Sequence, residues 1–361
     1  MTPYPREAFA IAPGITHLAA GGEPPWLLEQ QRALDLYARH KSAGYAGRDE
    51  QMAELDRVRA MVAADWQVPQ ADIGFVSSVA EGVAMLAESL DLAGGNIVAA
   101  RIEYASMLGP FARLPGVDLR LTETLAGIAQ RVDHNTRVIL VSDISQLTGE
   151  AADLPALRAA ADRVGAMLVI DYTQAAGWKS IAADIADFSF SACYKWLLAT
   201  TGIAIAHWNQ ARQPGWAPRT AGWFNLAMPT DWAAPVLVDG AMRFCRGNPA
   251  FLPLYMLGVG LDFAHRVEAA ALEAHVLGLT ARLRAGVLEA GLPCLTPAAH
   301  GANICIPHAT PDAVVARLHQ KGVMAWGGRG RVRFSLHGYN DAADVAAALA
   351  ALQGSLTPIA A

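Results

Sequence analysis

The chain has 361 residues, of which 53% are hydrophobic and only 17% are charged, and its formal net charge is −5. This length predicts two domains, and an acidic balance without a basic run argues against nucleic acid as a partner. No apolar stretch approaches the ~20 residues of a membrane span, and the first residues lack a signal-peptide pattern. We therefore expect a cytoplasmic protein that does not bind membranes. So little charge leaves limited polar surface, which favours burial of apolar surface in an oligomer.

The first part of the chain alternates between helical and strand-like patterns. Helices are predicted near 26–42 and 50–65, with a breaker between them. Seven short apolar strands follow, at 73–77, 97–102, 119–122, 138–142, 167–170, 188–191 and 203–207. Helix-length stretches separate several of them, at 79–91, 105–114, 124–132 and 153–164. Apolar strands separated by helices predict an α/β fold whose mostly parallel seven-stranded sheet is covered on both faces, with ligands beyond the carboxyl ends of the strands.

The rest of the chain has a different pattern. Residues 208–250 are rich in Trp and Pro and read as an irregular excursion with a functional or interfacial role. A long helix is predicted over about 251–289, and a small α+β region follows it. In that region strands are predicted near 302–306 and 331–336, and helices near 311–321 and 341–353. We expect a large domain over 15–260 and a small domain made of 1–14 and 261–361. The four cysteines are scattered without metal-ligand spacing, so no metal site or disulfide framework is predicted.

Two polar residues follow neighbouring strands of the large domain. Asp171 ends the segment Leu-Val-Ile-Asp, and Lys195 follows the strand Asp-Phe-Ser-Phe-Ser. A carboxylate at a strand end can meet a ligand, although a turn or cap role explains Asp171 taken alone. Lys195 lies between apolar stretches, where burial would lower the pKa of its amine and favour a Schiff base; a snorkelling surface lysine is the alternative.

Asp-x-x-Gln at one strand end, with Lys195 after the next strand, resembles the class-V aminotransferase family of pyridoxal-phosphate (PLP) enzymes. This family includes cysteine desulfurases, kynureninases and isopenicillin-N-epimerase-like proteins, and the resemblance extends from about residue 15 to 352. It implies the PLP-dependent transferase fold type I. It also implies that Asp171 pairs with the pyridine nitrogen, that Gln174 bonds the phenolic oxygen and that Lys195 carries PLP as a Schiff base.

The segment around Ser78 resembles the family's phosphate loop, in which a strand ends, small residues follow and a helix begins. Helix N-termini bind phosphate through free N–H groups. Val79-Ala80 stands where many members have Ala-Thr, so Ser77, Ser78 or backbone groups must replace a missing hydroxyl. A capped helix without a ligand is the alternative. Tyr104 falls where the family stacks His or an aromatic ring on the cofactor, although a buried core tyrosine would look the same.

Three further segments carry the resemblance. Gln146 stands at the position of a family Asn near the phenolic oxygen, and Tyr194 matches the kynureninase-like Tyr-Lys pair, whose hydroxyl reaches the phosphate. Ser191 is a weaker candidate. Asn248, in Arg-Phe-Cys-Arg-Gly-Asn-Pro, matches a segment that reaches the phosphate of the neighbouring subunit. The resemblance therefore implies a homodimer with active sites at the interface.

The segment Val-Arg-Phe-Ser-Leu-His-Gly-Tyr-Asn contains Arg333 and resembles the family segment whose arginine binds the substrate carboxylate. A planar guanidinium suits that task because it donates two parallel hydrogen bonds. An exposed strand arginine is the alternative explanation. Arg329 and Arg331 lie nearby, and the sequence does not decide which of the three arginines meets the substrate.

These residues identify the cofactor more firmly than the reaction. Cysteine desulfurases need a mobile nucleophilic cysteine shortly before the carboxylate-binding arginine, and residues 321–330 contain none. Three hypotheses remain: an amino-acid aminotransferase or epimerase-like relative, a lyase that cleaves a Cβ–Sγ or Cβ–Cγ bond, and a catalytically silent protein on the same fold. We expect the first, acting on a small amino-acid substrate, with the lyase as the alternative. The retained Asp171, Gln174 and Lys195 argue against the third.

Overall fold

Residues 2–355 are described by the structure, a computed structural model. A seven-stranded sheet forms the centre of the large domain. Strands are numbered along the chain from a short β1 (Thr16–His17), and the sheet contains β2 (Ile73–Val76), β3 (Asn96–Ala100), β4 (Asp118–Thr122), β5 (Thr136–Ser142), β6 (Met167–Asp171), β7 (Phe188–Ala192) and β8 (Ala204–Trp208). Their order is β2-β8-β7-β6-β5-β3-β4, and β8 is antiparallel to the other six strands, which all run in the same direction. The predicted mostly parallel seven-stranded sheet is confirmed.

Helices cover both faces of this sheet, as the apolar strands require. The helices are α1 (Gln30–Ser42), α2 (Gly44–Trp66), α3 (Val79–Ser89), α4 (Ala105–Ala112), α5 (Ile128–Arg131), α6 (Leu154–Val164) and α7 (Phe251–Ala264). Successive residues of a strand point to opposite faces. On β5, Ile139 therefore packs into the core that includes α2 and α7, whereas Leu140 packs into the core under α3 and α4. Both side chains are fully buried.

The small domain packs helices against two small sheets. Its elements are α8 (Ala269–Glu289), β9 (Asn303–Pro307), α9 (Pro311–Gln320), β10 (Val323–Met324), β11 (Trp326–Gly328), β12 (Arg331–Ser335) and α10 (Ala342–Leu352). One sheet is antiparallel with the order β11-β12-β9, and β10 pairs in parallel with β1. The N-terminal segment therefore contacts the small domain through β1. The domain boundaries themselves stay a prediction.

Two predictions about helices are wrong. The expected single helix over 251–289 is two helices, because the backbone at Glu268 is extended and separates α7 from α8. The chain has to turn here, since α7 packs on α1 and α2 in the large domain while α8 packs on β9 and α10 in the small one. The second predicted helix begins at Gly44 rather than near residue 50, so only Ala43 separates it from α1.

Candidate active site

Asp171 and Lys195 lie at the carboxyl edge of the sheet, as the strand pattern predicts. Asp171 is the last residue of β6 and is buried, with 5% of its surface exposed. The backbone N–H of Thr173 donates to its Oδ1 at 2.8 Å. Burial raises the pKa of the Asp171 carboxyl, although the Thr173 hydrogen bond and the nearby Lys195 charge favour its ionised form. Oδ2 makes no hydrogen bond within the described residues, so it can accept one from a ligand.

Lys195 presents a buried amine between two aromatic rings. Its Nζ lies 5.8 Å from the ring centroid of Tyr104 and 5.4 Å from that of Tyr194. Burial and, to a smaller extent, the Arg333 charge lower the pKa of this amine to about 8, against the opposing effects of Asp171 and Glu23. A larger share of the amine is therefore unprotonated near neutral pH than in an exposed lysine, as a nucleophilic lysine requires.

Two adjoining cavities bring most of the predicted residues together. The larger encloses about 540 Å³ and lies against both the start of α3 and the strand ends. Its walls include the predicted residues Ser78, Val79, Ala80, Tyr104, Asp171, Tyr194 and Lys195. The smaller is a narrow cleft that shares Tyr104, Asp171 and Lys195 with the larger and adds Gln146 and Gln174. One continuous site therefore contains nine of the predicted residues.

The N-terminus of α3 lines one end of the larger cavity, and this end suits an anion. Ser78 caps the helix, and its Oγ accepts a hydrogen bond from Glu81 N at 3.2 Å. The Glu81 carboxylate in turn accepts hydrogen bonds from Ser77 N and Ser77 Oγ. Both serine hydroxyls are thus engaged in starting the helix. Of the replacements that the sequence left open, the geometry favours the backbone N–H groups of Val79 and Ala80, which lie in the first turn and lack partners along the helix.

Three hydroxyl-bearing residues of this cavity were missed by the sequence analysis. Ser106 on α4 and Thr201 before β8 line the cavity, and neither hydroxyl makes a hydrogen bond within residues 2–355. Thr173 also lines it, but its Oγ1 accepts a hydrogen bond from Ala192 N at 2.9 Å and so ties the ends of β6 and β7 together. In the sequence, only their position near the predicted strand ends could have marked these residues as part of the site, and that position does not distinguish them from ordinary loop residues.

The two predicted glutamines differ in how their amides are engaged. The Gln174 Nε2 donates to Gly21 O at 3.0 Å, and its Oε1 accepts a hydrogen bond from Asn303 Nδ2 at 3.0 Å. One of its N–H groups is left for a ligand. The Gln146 Nε2 is buried and has no hydrogen-bond partner in the described part of the chain. A buried, unpaired amide costs free energy, and a ligand oxygen in the smaller cavity would satisfy it.

Arg333 lies on β12 at the boundary between the two domains. It is buried, with 3% of its surface exposed, and its Nη1 donates to Gln146 O at 3.1 Å. Its Nε is buried without a partner within residues 2–355, and burial lowers the pKa of the guanidinium. By contrast, Arg331 donates through Nη1 to Leu147 O at 2.6 Å and through Nε to Arg329 O at 3.0 Å, and Arg329 is exposed. Arg333 is therefore the arginine with a buried donor to spare.

Asn248, like Arg333, does not line either of these two cavities. It is exposed, accepts a hydrogen bond from Arg48, and lines a neighbouring cavity of about 630 Å³. That cavity shares Ser77 and Ile203 with the larger cavity of the site. Within a single chain Asn248 is thus beside the cofactor cavity but not in it, and its predicted reach into a partner's site stays a prediction.

The site fits PLP on the chain's own geometry. A carboxylate with a free oxygen, a buried amine with a lowered pKa, a helix N-terminus and an unpaired amide surround one cavity. These groups suit, in order, the pyridine nitrogen, the aldehyde, the phosphate and the phenolic oxygen. On a mostly parallel sheet with a small C-terminal domain, they define a PLP-dependent enzyme of fold type I.

The family model of class-V aminotransferases matches residues 27–348, and the chain belongs to this family. The expected resemblance, fold and cofactor are confirmed. Within the described residues, none of the helices has both the length and the apolar character needed to cross a membrane.

Curated relatives include proteins with different activities. A kynureninase from Deinococcus radiodurans is 30% identical over 215 residues, which are 55% of this chain and 51% of the relative. A kynureninase from Pseudomonas fluorescens is 26% identical over 58% of this chain and 53% of the relative. A probable cysteine desulfurase from Methanothermobacter thermautotrophicus is 24% identical over 81% of each. The chain matches only about half the length of these kynureninases.

Solved structures show the same fold. The apo structure of a cysteine desulfurase from Thermococcus onnurineus superposes with a TM-score of 0.88 at 20% identity, covering 97% of each chain. A cystine C–S lyase in complex with cysteine persulfide gives a TM-score of 0.84 at 18% identity, covering 94% of this chain and 97% of the other. At these identities the likeness establishes the fold alone.

Proposed function

We propose that this enzyme is a PLP-dependent lyase that releases the β-substituent of an α-amino acid. When bound, PLP supplies an electron-accepting ring that stabilises the electron pair of a bond broken at Cα. In this proposal the free Oδ2 of Asp171 holds the proton of the pyridine nitrogen. Arg333 binds the α-carboxylate with its spare N–H groups, and Lys195 carries the cofactor and then moves the proton at Cα. Gln146 and Gln174 bond the phenolic oxygen.

The observation that carries the lyase proposal is the pairing of Tyr194 with Lys195. Burial raises the pKa of the Tyr194 hydroxyl to about 12, and the neighbouring Tyr104 and Glu23 act in the same direction, while Arg333 opposes them. The hydroxyl therefore stays protonated across the neutral range. We assign it to a hydrogen bond to the departing group, in place of the phosphate contact that the resemblance implies, because it lies beside a lysine that can accept a proton. The similarity to kynureninases, which are lyases, supports this choice over the aminotransferase that the sequence favoured.

Persulfide chemistry of the desulfurase kind is not supported despite the similar fold. The segment before Arg333 contains β10 and β11 and ends in a tight turn at Arg329, rather than forming a mobile loop. No cysteine lines the two cavities of the site. Cys305, opposite Arg333 on β9, is fully buried, and burial raises the pKa of its thiol to about 12.

A product assay tests the lyase proposal. The holoenzyme is incubated with a panel of L-amino acids that carry different substituents at Cβ, and the released group, alanine, ammonia and a C3 keto acid are measured. Release of the β-substituent in an amount equal to alanine, or to ammonia plus the keto acid, supports the lyase: alanine forms when Cβ keeps the bonding electrons and is protonated, and keto acid and ammonia form when the substituent leaves with them. Stoichiometric conversion of bound PLP to pyridoxamine phosphate, with the intact carbon skeleton recovered as a keto acid, would instead identify an aminotransferase. Arg333 serves that second candidate equally well, because amino and keto acids both carry the carboxylate.

We also propose that the active form is a homodimer, as the family resemblance implies. Support comes from the hairpin over residues 225–238, where Leu226 and Leu237 form a bridge. On and beside this hairpin, Trp223, Met228, Trp232 and Val236 are between 52% and 77% exposed. Large apolar side chains at such exposure are typical of a covered surface. Sedimentation of the holoenzyme should give a dimer, and Trp232→Glu should weaken it; a monomer that binds PLP tightly would refute the proposal.

A further inference from the structure

Trp326 packs directly against the arginine of the proposed substrate site. β11 and β12 pair in antiparallel register, and Trp326 lies opposite Arg333. The guanidinium carbon of Arg333 is 4.8 Å from the centroid of the indole ring. Arginine favours such a stacked position, since its planar and weakly hydrated guanidinium is attracted to an aromatic face.

The remaining contacts fix the guanidinium plane but leave donors free. Nη1 is held by Gln146 O, and Nε has no partner within residues 2–355. The chain also approaches closely at Gly22, where an added Cβ would lie 3.3 Å from Nη2. With one face covered by indole and one corner held by a carbonyl, the guanidinium has little freedom to rotate. Its remaining N–H donors, Nε among them, are the part left for a carboxylate.

The local sequence makes room for the indole. A Cβ added at Gly328 would lie 2.8 Å from Trp326 Cζ2, and a Cβ added at Gly327 would lie 2.8 Å from Val315 Cγ2 on α9. Side chains at these two positions would therefore displace the ring or the strand. Trp-Gly-Gly in β11 thus allows the indole to lie flat against Arg333 while the strand packs on α9.

We infer that Trp326 is a positioning residue for carboxylate recognition. It acts through Arg333: the indole holds the guanidinium in one orientation and shields it from water, so that the α-carboxylate meets a preorganised partner. This inference rests on the proposed role of Arg333 as the carboxylate ligand. It also makes β11, rather than β12 alone, part of the substrate site.

The test distinguishes a loss of affinity for the substrate carboxylate from a general loss of affinity for the substrate. Each of the twenty L-amino acids is titrated into the holoenzyme while the cofactor absorbance is followed, and the tightest binder is carried forward with the amine that lacks its carboxyl group. In Trp326→Leu, Kd for the amino acid should rise about tenfold, the scale of a desolvated cation–π contact. Kd for the amine should stay within about twofold. Trp326→Phe, which retains a ring, should lose less.

Control variants distinguish this inference from the proposed function. In an Arg333→Ala background, Trp326→Leu should have no further effect on Kd for the amino acid. In the otherwise unchanged enzyme, Arg331→Ala should also leave this Kd unchanged, because the Arg331 donors already bond carbonyls. If Arg333→Ala weakens amino-acid binding but Trp326→Leu does not, only the inference about Trp326 is wrong. If Arg333→Ala leaves binding unchanged, the carboxylate assignment itself is wrong, and the positioning role with it.

Two further outcomes would overturn the positioning role alone. Equal losses for the amino acid and the amine would show that Trp326 contacts the substrate directly or supports the whole pocket. A loss that persists undiminished in the Arg333→Ala background would show that it does not act through Arg333. Should Trp326→Leu fail to bind PLP, Trp326→Met provides a milder change at the ring, and the same selective loss is expected from it.

Discussion

The cofactor side and the substrate side of this site are built in different ways. Asp171 and Lys195 follow parallel strands of one large sheet, and their positions are set by strand register, in which Ser142 of β5 pairs with Asp171 of β6. Arg333 and Trp326 are instead carried by the three-stranded sheet of the small domain. A seven-stranded sheet thus sets the positions of the cofactor groups, and a three-stranded sheet sets those of the proposed substrate groups.

A short chain of hydrogen bonds joins these two sides. Ser335 Oγ donates to Asn303 Oδ1 at 2.6 Å, and Asn303 Nδ2 donates to Gln174 Oε1 at 3.0 Å. Gln174 also holds the loop at Gly21, where an added Cβ would lie only 2.6 Å from Ser335 Oγ. The domains therefore meet at a tight polar seam beside the cofactor cavity. Substitutions on either side should separate cofactor effects from substrate effects.

The largest effect is expected at Lys195 on the cofactor side. Lys195→Ala should abolish turnover and the absorbance of covalently held PLP near 410–430 nm, a range characteristic of lysine-bound PLP. The fold should persist, because the Lys195 side chain makes no hydrogen bond within residues 2–355 and the backbone bond from Leu198 N to Lys195 O does not need it. Absorbance spectra, borohydride reduction followed by mass spectrometry, and thermal unfolding check these points. Retained catalysis in this variant would contradict the assignment of the whole site.

Asp171→Asn should keep the covalent cofactor but cut the rate by at least about a hundredfold, because a neutral amide cannot hold the proton of the pyridine nitrogen. Steady-state rates and the PLP spectrum are the measurements. Asp143→Asn is the matched control, since Asp143 is also buried at a strand end but pairs with Lys179 at 2.7 Å. It should lower stability without changing the rate of folded enzyme. A near-normal rate in Asp171→Asn would mean that Asp171 only shapes the turn.

On the substrate side, Arg333→Ala should lower kcat/KM for an amino acid by about two to three decades, the cost of a charge-assisted bidentate pair. The PLP spectrum should stay unchanged, which is how this variant differs from those at Lys195 and Asp171. Arg333→Lys should rescue only in part, because an ammonium cannot present a planar fork. Kinetics of the Ala variants at 329, 331 and 333 decide between the three arginines, and a normal Arg333→Ala would move the carboxylate site elsewhere.

The low pKa of Lys195 predicts how PLP capture depends on pH. Only the unprotonated amine attacks the aldehyde, so the capture rate of the apoenzyme should rise with pH and level off above about 8, where the amine has lost its proton. Below that pH it should fall about tenfold per unit. Asp171→Asn should move the midpoint of this pH profile to a lower pH, since the Asp171 carboxylate favours the protonated Lys195 amine. Stopped-flow absorbance checks both, and a rise that continues toward the ordinary lysine value would contradict the buried amine.

The sequence predicted the cofactor side better than the substrate side, for a physical reason. Parallel strands end at one edge of a sheet, so Asp171 and Lys195 could be placed together from strand order alone. β11 has only three residues and reads as a Trp-Gly-Gly turn, and the pairing of Trp326 with Arg333 depends on a register that no local pattern specifies. The break between α7 and α8 was missed because residues 265–268, His-Arg-Val-Glu, contain no Gly or Pro to mark it, although the two helices pack in different domains.

The smallest effect is expected at the phosphate end of the cofactor side, where Ser106 and Thr201 bring hydroxyls from two separate loops. The family hydroxyl position in the phosphate loop is Ala80 here, and Ser77 and Ser78 are engaged at the start of α3. Ser106→Ala and Thr201→Val should each raise Kd of the apoenzyme for PLP about two- to tenfold, the cost of losing one neutral hydrogen bond. Affinity for pyridoxal, which lacks the phosphate, should not change. Fluorescence titration with both ligands measures the difference, and equal losses for PLP and pyridoxal would show that these hydroxyls shape the cavity without binding the phosphate.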